Sequence, residues 1–202
     1  MKIKPREGTV DSFHYFPEPK TARWLFGSKQ AAWLWLFPRL YLGFYWTKFG
    51  WEKVFGAESD WMTTGESFQT YLNYQIDPEA PAAYFGWYGD FVGFLADNAG
   101  FWAKAIAVGE LLIGLGLLVG LFTGIAAFFG VLLNAGILFA AFGGPAPLFL
   151  LLEVGLLLAW RNAGYVGLDR WALPMLGTPT EPGWLFVSEE PTEPRARTKT
   201  AV

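Results

Sequence analysis

Apolar residues gather in four long runs, which are separated by short breaks rich in glycine, proline and polar residues. A hydrocarbon core about 30 Å thick is crossed by roughly 20 apolar residues in a helix. The runs therefore predict four membrane-spanning helices, at about residues 31–54, 101–122, 124–142 and 145–162. The predicted fold is all-α, an integral membrane four-helix bundle. The alternative is a soluble helical protein, which the short turns disfavour because the runs leave no polar faces.

Lysine and arginine residues indicate how such a bundle is oriented. Residues 1–29 hold six of them and the chain from Arg161 onward holds five, whereas residues 56–100 hold none and carry seven acidic residues. Because cytoplasmic segments are enriched in Lys and Arg, both termini are predicted to be cytoplasmic. The predicted organisation is an N-terminal tail (1–29), a four-span domain (30–172) with an outer loop (56–100), and a C-terminal tail (173–202). The expected location is the plasma membrane, with the lipid bilayer as partner.

The predicted outer loop is rich in aromatic residues, which favour the interface between membrane and water. Its segment from Tyr84 to Leu95 is predicted to form an amphipathic interfacial helix. This helix either covers the outer mouth of the bundle or serves only as an aromatic belt. No apolar run follows the first charged residues, so the first span is expected to be retained as an anchor rather than cleaved.

Composition excludes several kinds of chemistry. Hydrophobic residues make up 53 % of the chain and charged residues 16 %, against roughly a quarter charged in ordinary globular proteins. The chain has no cysteine, which excludes thiolate metal sites, iron–sulfur ligation and a cysteine nucleophile. A single histidine, His14, disfavours bis-histidine haem and most zinc sites. The net charge of −3 disfavours nucleic acid as a partner. No metal, haem or flavin site is recognised.

Four polar side chains are predicted to lie inside the spans, each on a different helix: Arg39, Glu110, Asn134 and Glu153. Counting the helical rise places them within about 6 Å of one another in depth. Arg39 is expected to bridge the two carboxylates, with Asn134 donating to either. Two carboxylates face one cation, so one carboxyl group is expected to take up a proton, as quinone reduction or a proton relay requires. The alternative is a polar clasp that only fixes the helix register.

One face of the first span also stands out. Arg39, Gly43, Trp46, Gly50 and Lys53 recur at intervals of four, three, four and three residues, so they form one stripe. Lys53, at the outer end of this stripe, is expected either to meet an anion arriving from outside or to extend toward lipid phosphate.

Three blocks of sequence resemble the DoxX/DoxD family of small four-helix membrane proteins. The first joins Arg39-Leu-Tyr-Leu-Gly to Gly-Trp-Glu-Lys53, and the second is the glycine-rich run around Gly109-Glu110-Leu. The third is Arg161-Asn-Ala-Gly-Tyr-Val-Gly-Leu-Asp169-Arg. Within the family, the chain resembles the DoxD-like small subunit of thiosulfate:quinone oxidoreductase. The resemblance implies a sulfur-compound oxidoreductase subunit that passes electrons to quinone as co-substrate, with a second subunit as partner.

The first functional hypothesis is therefore a redox membrane subunit. Glu110 and Glu153 are its predicted catalytic proton donors, and Arg39 is predicted to hold the developing charge on the quinol oxygen. The predicted substrate- or quinone-binding residues are Arg39, Lys53, Asn134, Arg161 and Asp169, and no metal ligand is predicted. The second hypothesis is a non-catalytic membrane anchor or assembly subunit of a redox complex. A small transporter is the third, and whether the chain is itself an enzyme stays open.

Overall fold

The computed structural model describes residues 19–56, 60–77, 86–139 and 144–177, and every regular element in these ranges is a helix. The predicted all-α class is therefore confirmed for the described part of the chain. The helices are α1 (Lys20–Gly27), α2 (Ala32–Phe55), α3 (Glu66–Gln75), α4 (Gly86–Asp97), α5 (Ala99–Val119), α6 (Thr123–Phe139), α7 (Ala146–Leu158) and α8 (Asp169–Met175).

The four predicted spans correspond to α2, α5, α6 and α7, with ends that differ by a few residues. Of the described helices, α5 alone is both long and apolar enough to cross a membrane. Helices α6 and α7 are apolar but shorter, with 17 and 13 residues. Helix α2 has 24 residues but carries four charged side chains. The four-span arrangement therefore stays a prediction.

Helices α2 and α5 approach closely because glycine stands at the points of contact. A Cβ built on Gly50 lies 2.6 Å from the Cα of Leu111, and one built on Gly114 lies 2.7 Å from the Cα of Thr47. No side chain fits at either position without moving the opposite backbone. The stripe predicted on α2 faces this contact: its first four members are buried, and Lys53 is half-buried.

One hydrophobic core lies among α2, α5, α6 and α7. Its large buried side chains come from three of these helices, and alanines of α6 and of the segment after α7 fill the spaces between them. The larger members are Leu42, Trp46, Ile113, Leu117, Phe149 and Leu156. We refer to the two ends of this helix group as the Arg39 end, where α5 ends and α6 begins, and the Lys53 end, where α5 and α7 begin.

A second core joins α3 and α4 to the beginning of α5. Helix α4 buries Tyr88, Val92 and Ala96, which are spaced by four residues on one face, and leaves the other face exposed. The Tyr88 hydroxyl donates to the carbonyl of Gly136 (2.7 Å), which attaches α4 to α6 at the Lys53 end. The amphipathic pattern predicted for Tyr84–Leu95 is present from Gly86 onward, and residues 84 and 85 lie outside the described ranges.

The predicted tails are only partly described. The predicted N-terminal tail contains α1, while its residues 1–18, including His14, lie outside the described ranges. Helix α8 spans the predicted boundary at residue 172, and the predicted C-terminal tail is described only to residue 177. The predicted domain boundaries and the interfacial position of α4 stay predictions.

Candidate functional site

The buried polar side chains separate into groups at different heights along the helices. Arg39 and Asp169 lie at the Arg39 end, the ion pair of Lys53 with Glu110 lies at the Lys53 end, and Glu153 lies between them. The predicted single layer of four polar groups is therefore divided.

Arg39 is almost fully buried, and it donates to backbone carbonyls rather than to carboxylates. Its Nη1 lies 3.3 Å from the Ala163 oxygen and its Nη2 lies 2.7 Å from the Val166 oxygen. Both acceptors belong to the turn segment that follows α7. The predicted bridge from Arg39 to Glu110 and Glu153 is wrong, because this returning segment supplies the acceptors instead.

Asp169 caps α6 from a distant part of the chain. Its carboxylate accepts the backbone N–H groups of Phe122 (2.6 Å) and Thr123 (3.0 Å), which are unpaired donors at the start of that helix. Glycine is needed beside it, since a Cβ on Gly164 would lie 2.5 Å from the Asp169 Cγ. Arg161, in the same segment, is exposed and lies against the ring of Trp160. The contacts of Gly164 and Asp169 thus give the Gly-x-x-Gly-Leu-Asp pattern a role in the fold.

Replacing Asp169 by alanine is expected to lower the free energy of unfolding by about 1–2 kcal/mol, the cost of losing a helix cap. The N–H groups of Phe122 and Thr123 then lose their acceptor. Asp169→Asn keeps one side-chain oxygen and is expected to lose about half as much. Unfolding of the purified chain in mixed micelles, followed by circular dichroism, measures both losses. Equal stability of wild type and the alanine variant would contradict this role.

Glu153 is fully buried and connects three helices. Its Oε1 accepts from the indole nitrogen of Trp46 on α2, and its Oε2 accepts from the amide of Asn134 on α6, both at 2.7 Å. Gly130 makes room for the carboxyl group, because a Cβ there would lie 2.7 Å from Oε1. The predicted donation from Asn134 to a glutamate is made to Glu153.

Lys53 and Glu110 form a salt bridge between α2 and α5. The Lys53 Nζ lies 2.5 Å from both carboxylate oxygens of Glu110, and it lies 4.5 Å from the ring centre of Trp61. The Glu110 side chain is 8 % exposed and that of Lys53 is 24 % exposed, so water reaches the cation. Lys53 is thus paired with Glu110 within the chain, and its predicted contact with an outside anion or with lipid phosphate stays a prediction.

This salt bridge forms part of the wall of an open-sided cavity of about 260 Å³ at the Lys53 end. The wall is mostly apolar, and its polar groups are the ion pair and the Asn134 amide. A cavity of about 150 Å³ accepts a benzene ring, so this space is large enough for one substituted ring or one small hydrated anion. Its lining residues are Trp46, Phe49, Lys53, Glu110, Asn134, Ile137, Gly144, Pro145, Ala146 and Phe149.

Three of the predicted site residues thus meet at this cavity: Lys53, Glu110 and Asn134. Glu153 lies directly behind it, bonded to Trp46 and Asn134, whereas Arg39, Arg161 and Asp169 lie at the other end. Sequence reasoning missed Trp46 and Phe149 as site residues. The stripe on α2 contained the signal for Trp46, because that residue falls between Arg39 and Lys53 on the same face.

The fold and the cavity define a class: an all-α chain whose apolar helices enclose an ion pair and a ligand-sized space. The family model described as DoxX matches residues 34–143. The chain therefore belongs to the DoxX family, and it is a membrane protein. No curated protein and no solved structure matches the chain.

Proposed function

We propose that this chain is the membrane subunit of an oxidoreductase, and that it passes electrons from a small sulfur anion of the thiosulfate type to quinone. The cavity at the Lys53 end is the proposed ligand site. The observation that carries the proposal is the Lys53–Glu110 ion pair in the wall of a mostly apolar cavity. Ionisable groups at membrane depth are costly, and in membrane proteins they mark functional sites.

The size and chemistry of the cavity suit the head group of a quinone. Trp46 and Phe149 supply flat apolar walls, and the Lys53 ammonium is a donor for a carbonyl oxygen or an anion. An isoprenoid tail does not fit in about 260 Å³ and would lie among the helices or in lipid. The tail would leave the cavity through its open side.

Protons are the second requirement. Reduction of a quinone to a quinol takes up two electrons and two protons. In the proposal, the Glu110 carboxylate takes up a proton from water at the open side of the cavity and passes it to the quinone oxygen that Lys53 holds. Water at the open side of the cavity supplies the second proton, while Glu153, behind the cavity, accepts hydrogen bonds from Asn134 and Trp46 and holds both side chains in place. Arg39 takes no part, because its terminal nitrogens donate to carbonyls at the opposite end.

In the proposed arrangement, α2, α5, α6 and α7 span the plasma membrane. Both termini then lie in the cytoplasm. Helix α6 has 17 residues and is therefore about 26 Å long. Helix α7 is shorter, and tilting or local thinning of the bilayer accommodates such a difference. The Lys53 end then faces outward, where a sulfur anion arrives. A second oxidoreductase subunit completes the proposed complex.

Replacing Glu110 by glutamine tests this proposal. The variant keeps the size of the side chain but removes the carboxylate that takes up the proton and passes it on. We expect thiosulfate-dependent reduction of decylubiquinone by the complex in native lipid to fall about 100-fold or more in kcat, the usual contribution of a general acid. Glu52→Gln is the matched control, since Glu52 is an exposed residue near the same end of α2. Full activity of the Glu110→Gln complex would contradict the proposal.

A non-catalytic anchor or assembly subunit is the second candidate. This candidate is favoured because each carboxylate oxygen of Glu110 and Glu153 already has a hydrogen-bond or ion-pair partner within the chain. This candidate predicts that Glu110→Gln changes the stability of the chain but leaves the turnover of the assembled complex unchanged.

A further inference from the structure

The Arg39 end carries a concentration of positive charge that the proposed redox function does not use. In the described segments 19–31 and 159–177 the acidic side chain is Asp169, which is buried and bonded to backbone N–H groups. The cations of these segments all have exposed side chains: Lys20, Arg23, Lys29, Arg161 and Arg170.

Hydrogen bonds hold these two segments together as one surface. The Asn162 amide donates to the carbonyls of Leu25 (3.1 Å) and Ser28 (2.8 Å), at the end of α1. The indole nitrogen of Trp35 donates to the same Leu25 carbonyl (2.8 Å). The cations of α1 and those around α8 are therefore held in a fixed relation by the fold.

Two of the cations share one aromatic ring. The Lys29 Nζ lies 5.3 Å from the ring centre of Tyr165, and the Arg170 Cζ lies 5.8 Å from the same ring centre. Arg170 also lies 4.7 Å from the ring centre of Trp171. The two cations therefore lie within about 11 Å of each other, and in the described segments at this end no exposed carboxylate offsets their repulsion. An anion within reach of both is attracted by both.

We propose that Lys29, Tyr165 and Arg170 bind the phosphate of an anionic phospholipid headgroup. The exposed tryptophans beside these cations favour lipid over an acidic protein as the ligand. Trp24 of α1 and Trp171 of α8 are 49 % and 58 % exposed, and tryptophan next to basic residues is typical of segments at the headgroup level. Anionic lipid attracts such cations with about 1 kcal/mol each.

Titration with a short-chain lipid tests this site. The chain in neutral detergent is titrated with dioctanoyl-phosphatidylglycerol, and its thermal unfolding reports the apparent affinity. Parallel titrations use dioctanoyl-phosphatidylcholine, inorganic phosphate and polyglutamate. We expect phosphatidylglycerol alone to stabilise the wild type. In Lys29→Gln/Arg170→Gln, its apparent affinity is expected to fall about 30-fold, from two cations at about 1 kcal/mol each.

The matched control is Lys48→Gln/Lys104→Gln, which removes two exposed cations from α2 and α5 away from this surface. Its affinity for phosphatidylglycerol is expected to equal that of the wild type. An equal loss in both double variants would overturn the proposal, as would equal stabilisation by phosphatidylcholine or inorganic phosphate. Stabilisation by polyglutamate but not by phosphatidylglycerol would overturn it in favour of an acidic protein partner.

Discussion

Replacing Gly114 by alanine is expected to lower the free energy of unfolding by about 1–3 kcal/mol, and replacing it by valine by more. The new Cβ would lie 2.7 Å from the Cα of Thr47. Because the obstructing atom belongs to the backbone, the only relief is for α2 to move away from α5. That movement also separates Lys53 from Glu110, so the variant is expected to lose ligand binding at the Lys53 end.

Gly109 offers the matched control on the same helix, since no atom lies within 4 Å of a Cβ built there. Gly109→Ala is expected to leave stability unchanged or raise it by about 0.5–1 kcal/mol, because alanine favours helix over glycine. Unfolding in mixed micelles, followed by circular dichroism, compares the two variants. Equal effects of alanine at both positions would show that the close approach of α2 and α5 is not a source of stability.

Replacing Lys53 by methionine is expected to cost about 2–3 kcal/mol of stability. Removing one partner of a buried ion pair leaves the other charge uncompensated, at a cost of about 3–5 kcal/mol. The expected loss is smaller here because water reaches the partly exposed Lys53 side chain. The contact of Lys53 with Trp61 contributes a minor part, about 0.5–1 kcal/mol for a cation near a ring at an exposed site.

The double variant Lys53→Met/Glu110→Met separates charge pairing from packing. If the unpaired carboxylate causes the loss, the double variant is expected to be more stable than Lys53→Met alone, because no charge remains in the site. The same micelle unfolding assay measures all three chains. Losses that simply add up in the double variant would contradict a coupled pair.

Much of the helical framework could be predicted from the sequence. The four apolar runs marked α2, α5, α6 and α7 because length and hydrophobicity are properties of each segment alone. The stripe from Arg39 to Lys53 identified the inward face of α2, because helical spacing determines which side chains share a face. Lys53 and Glu110, which belong to two of the family-like sequence blocks, also lie in the cavity wall.

The grouping of the polar residues could not be predicted from depth alone. Side chains in a helix point back toward its N-terminus, and α2 and α5 run in opposite directions. Arg39 therefore extends toward the Arg39 end, while Glu110 extends toward the Lys53 end and meets Lys53 there. The acceptors of Arg39 are carbonyls of Ala163 and Val166, which a sequence does not distinguish from any others.

The role of Asp169 was also beyond the sequence pattern. Its hydrogen-bond donors are the backbone N–H groups of Phe122 and Thr123, which lie more than forty residues earlier in the chain. Such a cap depends on the return of the chain after α7 to the start of α6. A pattern of glycines beside an aspartate suggests a functional motif. The contacts show instead that this aspartate caps a helix.

The central claim is that quinone binds in the cavity at the Lys53 end, and photolabelling with an azidoquinone tests it most directly. Light-induced labelling of the chain in native lipid, followed by peptide mapping, is predicted to place the label within residues 46–53 and 144–149. Excess unlabelled quinone is predicted to suppress it, and Glu110→Gln to retain it. Labelling that centres on residues 163–167 beside Arg39, or that unlabelled quinone does not suppress, would contradict the account.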